Sequence, residues 1–355
     1  MTGKAPENSS EKATVDESAV REFVRDFSIE VTPAAAKKIE SFSEHIRPGC
    51  RVMITFLPGS DIEETRLLAE RLRGEGYVAV PHFAARSFAS RGQFVAFAEG
   101  LAKAGVNEAM VLAGAVKEPL GPFASSMDLL ETGVFEANGF CRFGVAGHPE
   151  GSPDISAAAL REAILWKNDW AARTGADAYL ATQFCFEAAP VLEWERGIRA
   201  DGNALEVRIG LPGPAQIKTL LMHAKNCGIG NSVRYLARQA RNVSKLVTVN
   251  APDKLVFGLV EGREAGNLIS GVHLYPLGGF RRSAEWVYAV AAGDFTLTDG
   301  GVRGEGRGGF FWVGGRGGRG GRGGGVGAAG GRGAVVGGGV GERGWGGGAA
   351  GGARR

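Results

Sequence analysis

Phe27-Ser28-Ile29-Glu30-Val31-Thr32-Pro33 (FSIEVTP) reads as a short apolar strand running straight into a helix start, with Pro33 at the first helical position. A GxGxxG at this first strand-to-helix turn would have pointed to an open, doubly wound sheet with a phosphate cradle. The turn is Glu-Val-Thr-Pro instead, which favours a closed barrel and leaves one carboxylate, Glu30, at the end of the first strand.

Seven more strand-like runs follow: 51–56 (RVMITF), 77–81 (YVAVP), 108–114 (EAMVLAG), 140–147 (FCRFGVAG), 176–184 (ADAYLATQF), 205–211 (LEVRIGL) and 268–276 (LISGVHLYP). Between them lie helix-like segments, from 34–46 (AAAKKIESFSEHI), 125–135 (SSMDLLETGVF) and 155–174 to three successive stretches over 215–264, with 283–293 closing the set. Eight strands alternating with helices require crossover connections and hence a parallel sheet. We therefore expect an α/β fold of the (β/α)₈ TIM-barrel type over residues 23–298.

The two ends read differently. Residues 1–22 are polar and weakly periodic, which predicts a disordered leader; they show no hydrophobic signal segment, so a cytoplasmic location is expected. Residues 299–355 are a low-complexity Gly/Arg-rich tail, with 29 of the 58 glycines in 300–355. Such a segment cannot bury enough apolar surface to offset its chain entropy. Nine arginines against two glutamates give 300–355 a charge of +7, and the chain total is +3, which leaves −4 for residues 1–299. The barrel thus lacks a basic footprint for nucleic acid. The tail has the Arg content for weak contact with RNA, yet only Phe310, Phe311, Trp312 and Trp345 interleave it, and an extension with no role in the chemistry is the preferred reading.

No apolar run approaches the ~18 residues of a membrane span. The four cysteines form no CxxC pair and the five histidines no HxxxH pair, so spacing supports neither a zinc ribbon nor a helical metal site.

In a parallel barrel the reactive face is the C-terminal rim of the strands. That rule selects Glu30, residues 57–60, His82 with Arg86, Gly114, His148 with Glu150, Gln183 with Phe184 and Phe186, the 212–213 turn, and Tyr275. Two carboxylates among many aromatics suit a flat organic ligand better than phosphoryl transfer.

Seven of these rim segments, SIEVTP (28–33), PHFAAR (81–86), VLAGAVKEP (111–119), VAGHPEGSPD (145–154), ATQFCF (181–186), LPGP (211–214) and VHLYPLGG (272–279), occur in an order that resembles the methylenetetrahydrofolate reductase family. The resemblance implies reduction of 5,10-methylenetetrahydrofolate to 5-methyltetrahydrofolate by NAD(P)H, usually through FAD, in a homo-oligomer serving methionine biosynthesis. It implies Glu30 as the acid, its carboxyl raised by a half-apolar strand end. Gln183 would hold the pterin, beside Phe184, Phe186 and Tyr275. His82, Gly114, Ala115, His148, Ser152, Lys167 and Arg173, with Asn168, fall where the family contacts its flavin.

Two departures stand out: Ala115 replaces the acid of a Gly-Asp pair, and Ser152 stands where a histidine is usual. They open the alternative of direct hydride transfer from NADH without flavin. A further alternative is a folate-binding or methyl-transfer accessory barrel without reductase turnover.

Overall fold

The computed structural model describes residues 15–227, 230–239, 249–298 and 301–304. Eight parallel strands close into a barrel: β1 (Ser28–Val31), β2 (Arg51–Ile54), β3 (Val78–Ala84), β4 (Glu108–Leu112), β5 (Arg142–Gly147), β6 (Asp177–Phe184), β7 (Glu206–Pro212) and β8 (Ile269–Tyr275). Each pairs with its sequence neighbour, and β1 closes the ring on β8 through Ser28 opposite His273. The chain is a (β/α)₈ barrel, as the alternation of strands and helices requires.

Two apolar layers hold it. The larger lies between barrel and helices, where outward strand residues such as Ile29, Val52, Phe83 and Val145 meet the helices' buried faces. Inside the barrel, Met53, Val80, Met110, Tyr179 and Ala181 form a thin plug. Gly144 is packed tightly there, because a Cβ would sit 2.8 Å from Met110 Sδ and 2.9 Å from Tyr179 Oη and would force those side chains to shift. Below the plug, Arg208 pairs with Asp26 at 2.6 Å and Arg51 with Glu108 at 3.1 Å. This leaves the opposite, C-terminal rim as the open end.

Several local expectations need correction. The helix expected over 34–46 is one turn, Pro33–Ala36, capped by Thr32, followed by a 3₁₀ turn at Phe42–Glu44. Arg71 explains the break: its guanidinium donates to the carbonyls of Ala36, Ile39 and Glu40 at 2.8 to 3.2 Å and replaces helical hydrogen bonds. The helix expected over 125–135 is split at Gly133, whose φ of 71° is left-handed.

The leader does not extend to residue 22. Glu17–Arg25 is a helix capped by Asp16 that buries Val20, Phe23 and Val24, an i, i+3, i+4 stripe hidden among charges. Nor is Thr298 the end of order, since Gly301–Gly304 pairs antiparallel with Phe295–Thr298. The remaining tail readings, from 305 onward, lie outside the described residues. Among the described residues no helix is long and apolar enough to cross a membrane.

Candidate functional site

Glu30 lies in the barrel interior at the rim, its side chain 16% exposed. Thr55 Oγ1, one residue beyond β2, donates to Glu30 Oε1 at 2.5 Å. His273 Nε2 faces Glu30 Oε2 at 3.4 Å, and Nδ1 of the same ring meets Ser28 Oγ at 2.9 Å. Ser28 and Glu30 share one face of β1 by the two-residue period, and β8 presents His273 beside them. The result is a chain Ser28–His273–Glu30–Thr55 across three adjacent strands.

The electrostatics reverse an expectation. Burial by itself pushes the Glu30 carboxyl up, but hydrogen bonds from His273 and Thr55 and the charges of the two nearby imidazoles outweigh it and hold the carboxyl below its usual value. His82 is buried beside Glu30, and desolvation lowers its imidazole to about 4. The charge of His82 acts on Glu30 only in the acid range where both groups titrate; at neutral pH His82 is uncharged and the hydrogen bonds from His273 and Thr55 support the carboxylate. The Nε2 of His82 is buried with no hydrogen-bond partner.

Gln183 reaches the rim because β6 bulges. The pairing of β6 with β7 slips between Ala181 and Phe184, and Thr182 Oγ1 stitches the bulge by accepting from Gly210 N and donating to Gln183 O, each at 2.8 Å. Gly210 is required opposite: a Cβ there would lie 2.6 Å from the carbonyl oxygens of Thr182 and Gln183. A bulge re-aims a side chain, and Gln183 Oε1 is left buried and unpartnered. Tyr275 Oη donates to Thr182 O at 2.9 Å, fixing the same bulge from β8.

An aromatic wall adjoins these groups. Phe184 meets Tyr275 edge-on at 5.4 Å and Phe186 at 5.9 Å, and Tyr275 meets His273 at 4.7 Å. Helices Ile217–Asn226 and Gly230–Gln239, an excursion after β7, pack Leu220, Ala224 and Leu236 behind Phe184 and Phe186. Two unpartnered polar atoms, a carboxylate–imidazole pair and a run of aromatic faces suit a flat, hydrogen-bonding heterocycle.

The residues expected around a flavin do not converge in the same way. Gly114 is left-handed, with φ 90°, and a Cβ on it would stand 3.0 Å from Ala84 Cβ; Ala115 offers no polar side chain. His148 is half-buried, its imidazole lowered to about 4 by burial and by Lys167, and Lys167 is itself lowered to about 8 by burial. Ser152 Oγ accepts from Asp154 N within its own loop.

Asn168 is consumed structurally, bonded to Ile164, Asn203 and Ala204. Arg173 pairs with Asp169 at 2.8 Å near the end of its helix, just before β6 begins at the barrel's lower end. Asn168 and Arg173 thus stand away from the rim, because a helix antiparallel to its strand carries its last turns to the opposite end. Among the described residues expected at a flavin, Lys167 is then the one cation left beside His148, a poor match for the two charges of a diphosphate. Arg86, selected by position, holds the loop carbonyls of Ala124 and Val116.

No family model matches the chain. Among solved structures it is similar to a type I 3-dehydroquinate dehydratase from Clostridium difficile, at 10% identity and TM-score 0.39, covering 75% of this chain and 90% of that one. It is also similar to a chitinase from Rhizomucor miehei, at 11% identity and TM-score 0.42, covering 76% of this chain and 99% of that one. At such identities and scores neither likeness bears on the site.

His273, Thr55 and Ser28 were not singled out from the sequence. The two-residue strand period held the signal, since it puts Ser28 on Glu30's face and His273 on Tyr275's.

Proposed function

We propose that this chain is a methylenetetrahydrofolate reductase in which NAD(P)H delivers hydride directly to the folate. The observation that carries the reading is the Ser28–His273–Glu30–Thr55 chain at the barrel rim, with Gln183 Oε1 unpartnered near the aromatic wall.

Reduction of the one-carbon bridge needs two events. A proton must reach the leaving nitrogen of the five-membered ring, which opens to an iminium. A hydride must then add to the iminium carbon, giving the methyl group and oxidised nicotinamide. A positioned acid contributes about 10²- to 10⁴-fold to such a step. Because Glu30 is held below its usual carboxyl value, the proton donor is the Glu30–His273 pair acting together, with Ser28 fixing the ring and Thr55 fixing the carboxylate.

Gln183 would pair with the pterin amide edge, and Phe184, Phe186 and Tyr275 would exclude water from the iminium. The poor fit of the flavin donor set supports the direct route over the flavin-mediated one, so no step is routed through FAD.

The test is NAD(P)H oxidation by the purified full chain with and without methylenetetrahydrofolate, alongside its visible spectrum. The reading expects folate-dependent oxidation and no flavin band. Tightly bound yellow flavin would remove the direct route, and folate-independent or absent oxidation would remove the reductase.

A further inference from the structure

Glu150, on the turn after β5, gives both carboxylate oxygens to one residue of the excursion after β7. Ser232 N donates to Oε2 at 2.9 Å and Ser232 Oγ donates to Oε1 at 2.5 Å. Ser232 is 1% exposed and lies in the first turn of helix Gly230–Gln239, where backbone N–H groups lack intrahelical partners and the helix dipole favours an anion. Bonds to a charged group in such a place are about twice as strong as neutral ones.

Three and four residues on, and so on the same helix face, Tyr235 stacks on Phe186 at 6.3 Å and 29°, and Leu236 is buried in the cluster with Phe184, Phe186, Leu220 and Ala224. The contact that docks the helix and the contacts that back the aromatic wall therefore move together.

We propose that Glu150 is a positioning residue: it anchors the excursion after β7 to the rim of β5 and thereby sets Phe184 and Phe186 against the bound pterin. The ligand in this statement rests on the reductase reading; the anchoring does not. A purely structural tie would stabilise the helix without altering ligand affinity, and the two roles separate experimentally.

The experiment uses the full chain, with tetrahydrofolate as the probe, in Glu150→Ala, which removes both acceptors, and Glu150→Gln, which retains one oxygen. Amide exchange is followed in the ligand-free protein and tetrahydrofolate affinity by titration. We expect faster exchange across 230–239 in Glu150→Ala with β5 unchanged, Kd raised roughly tenfold, kcat at saturating substrate within about twofold, and Glu150→Gln in between. Unchanged exchange in 230–239, or a wild-type protein that binds tetrahydrofolate no more than about twofold better than Glu150→Ala, would overturn the proposal. If the wild type binds no tetrahydrofolate at all, the substrate reading fails and exchange alone decides the anchor.

Discussion

His273 Nε2 stands 3.4 Å from Glu30 Oε2 while its Nδ1 is tied to Ser28 Oγ at 2.9 Å, so the acid at the rim is one member of a hydrogen-bonded chain and not a lone carboxyl. This arrangement keeps Glu30 charged and oriented despite its burial. Replacing His273 by Asn should lower kcat about 100-fold with folate affinity within a few fold, and Ser28→Ala should lower it by less. Steady-state kinetics across pH check this, and an unchanged kcat in His273→Asn would remove the histidine from the proton path.

Gln183 Oε1 is buried without a protein partner, which makes it costly unless a ligand or water satisfies it. Gln183→Ala is therefore expected to weaken tetrahydrofolate binding roughly tenfold or more while leaving the melting temperature nearly unchanged. A large fall in stability with unchanged binding would show that the amide serves the fold.

Gly210 faces the β6 bulge so closely that an added Cβ would lie 2.6 Å from two backbone carbonyl oxygens. Gly210→Ala must push the bulge aside. A loss of about 1–3 kcal/mol in stability is expected, together with weaker folate binding because Gln183 is displaced. Denaturant unfolding and the same titration measure both.

Asp253 offers a pH test of stability away from the site. Burial raises its carboxyl to about 6 against the opposing hydrogen bond from Trp286 Nε1 at 2.9 Å. With the folded value above the unfolded one, its favourable contribution is complete below about 4 and is lost as pH rises through about 6. Asp253→Asn keeps an acceptor for Trp286 and removes the charge. Since the residue is only half-buried by surface area, a gain on the order of 1–2 kcal/mol is expected at pH 7 to 8, vanishing near pH 4. A variant less stable than wild type at pH 8 would contradict this.

The eight strands were legible because a parallel barrel buries both faces of each, and their apolar runs between turn residues mark them within one to three residues. Helix ends were harder: Arg71 unwinds 37–41 from a distance in sequence that no local pattern reveals. At the site, Glu30, Gln183 and Tyr275 could be placed by the rim rule alone. The lowered carboxyl of Glu30 could not, because it depends on His273, 243 residues away. Asn168 and Arg173 were misplaced for a related reason, since alignment by type ignores which end of a helix reaches the rim.

The central claim is that the Glu30–His273 pair delivers the proton that opens the folate ring. The most direct measurement compares wild type with Glu30→Gln for methylenetetrahydrofolate-dependent NAD(P)H oxidation and for tetrahydrofolate affinity. The account expects turnover to be abolished with affinity within a few fold of wild type. Unchanged turnover in Glu30→Gln would contradict it.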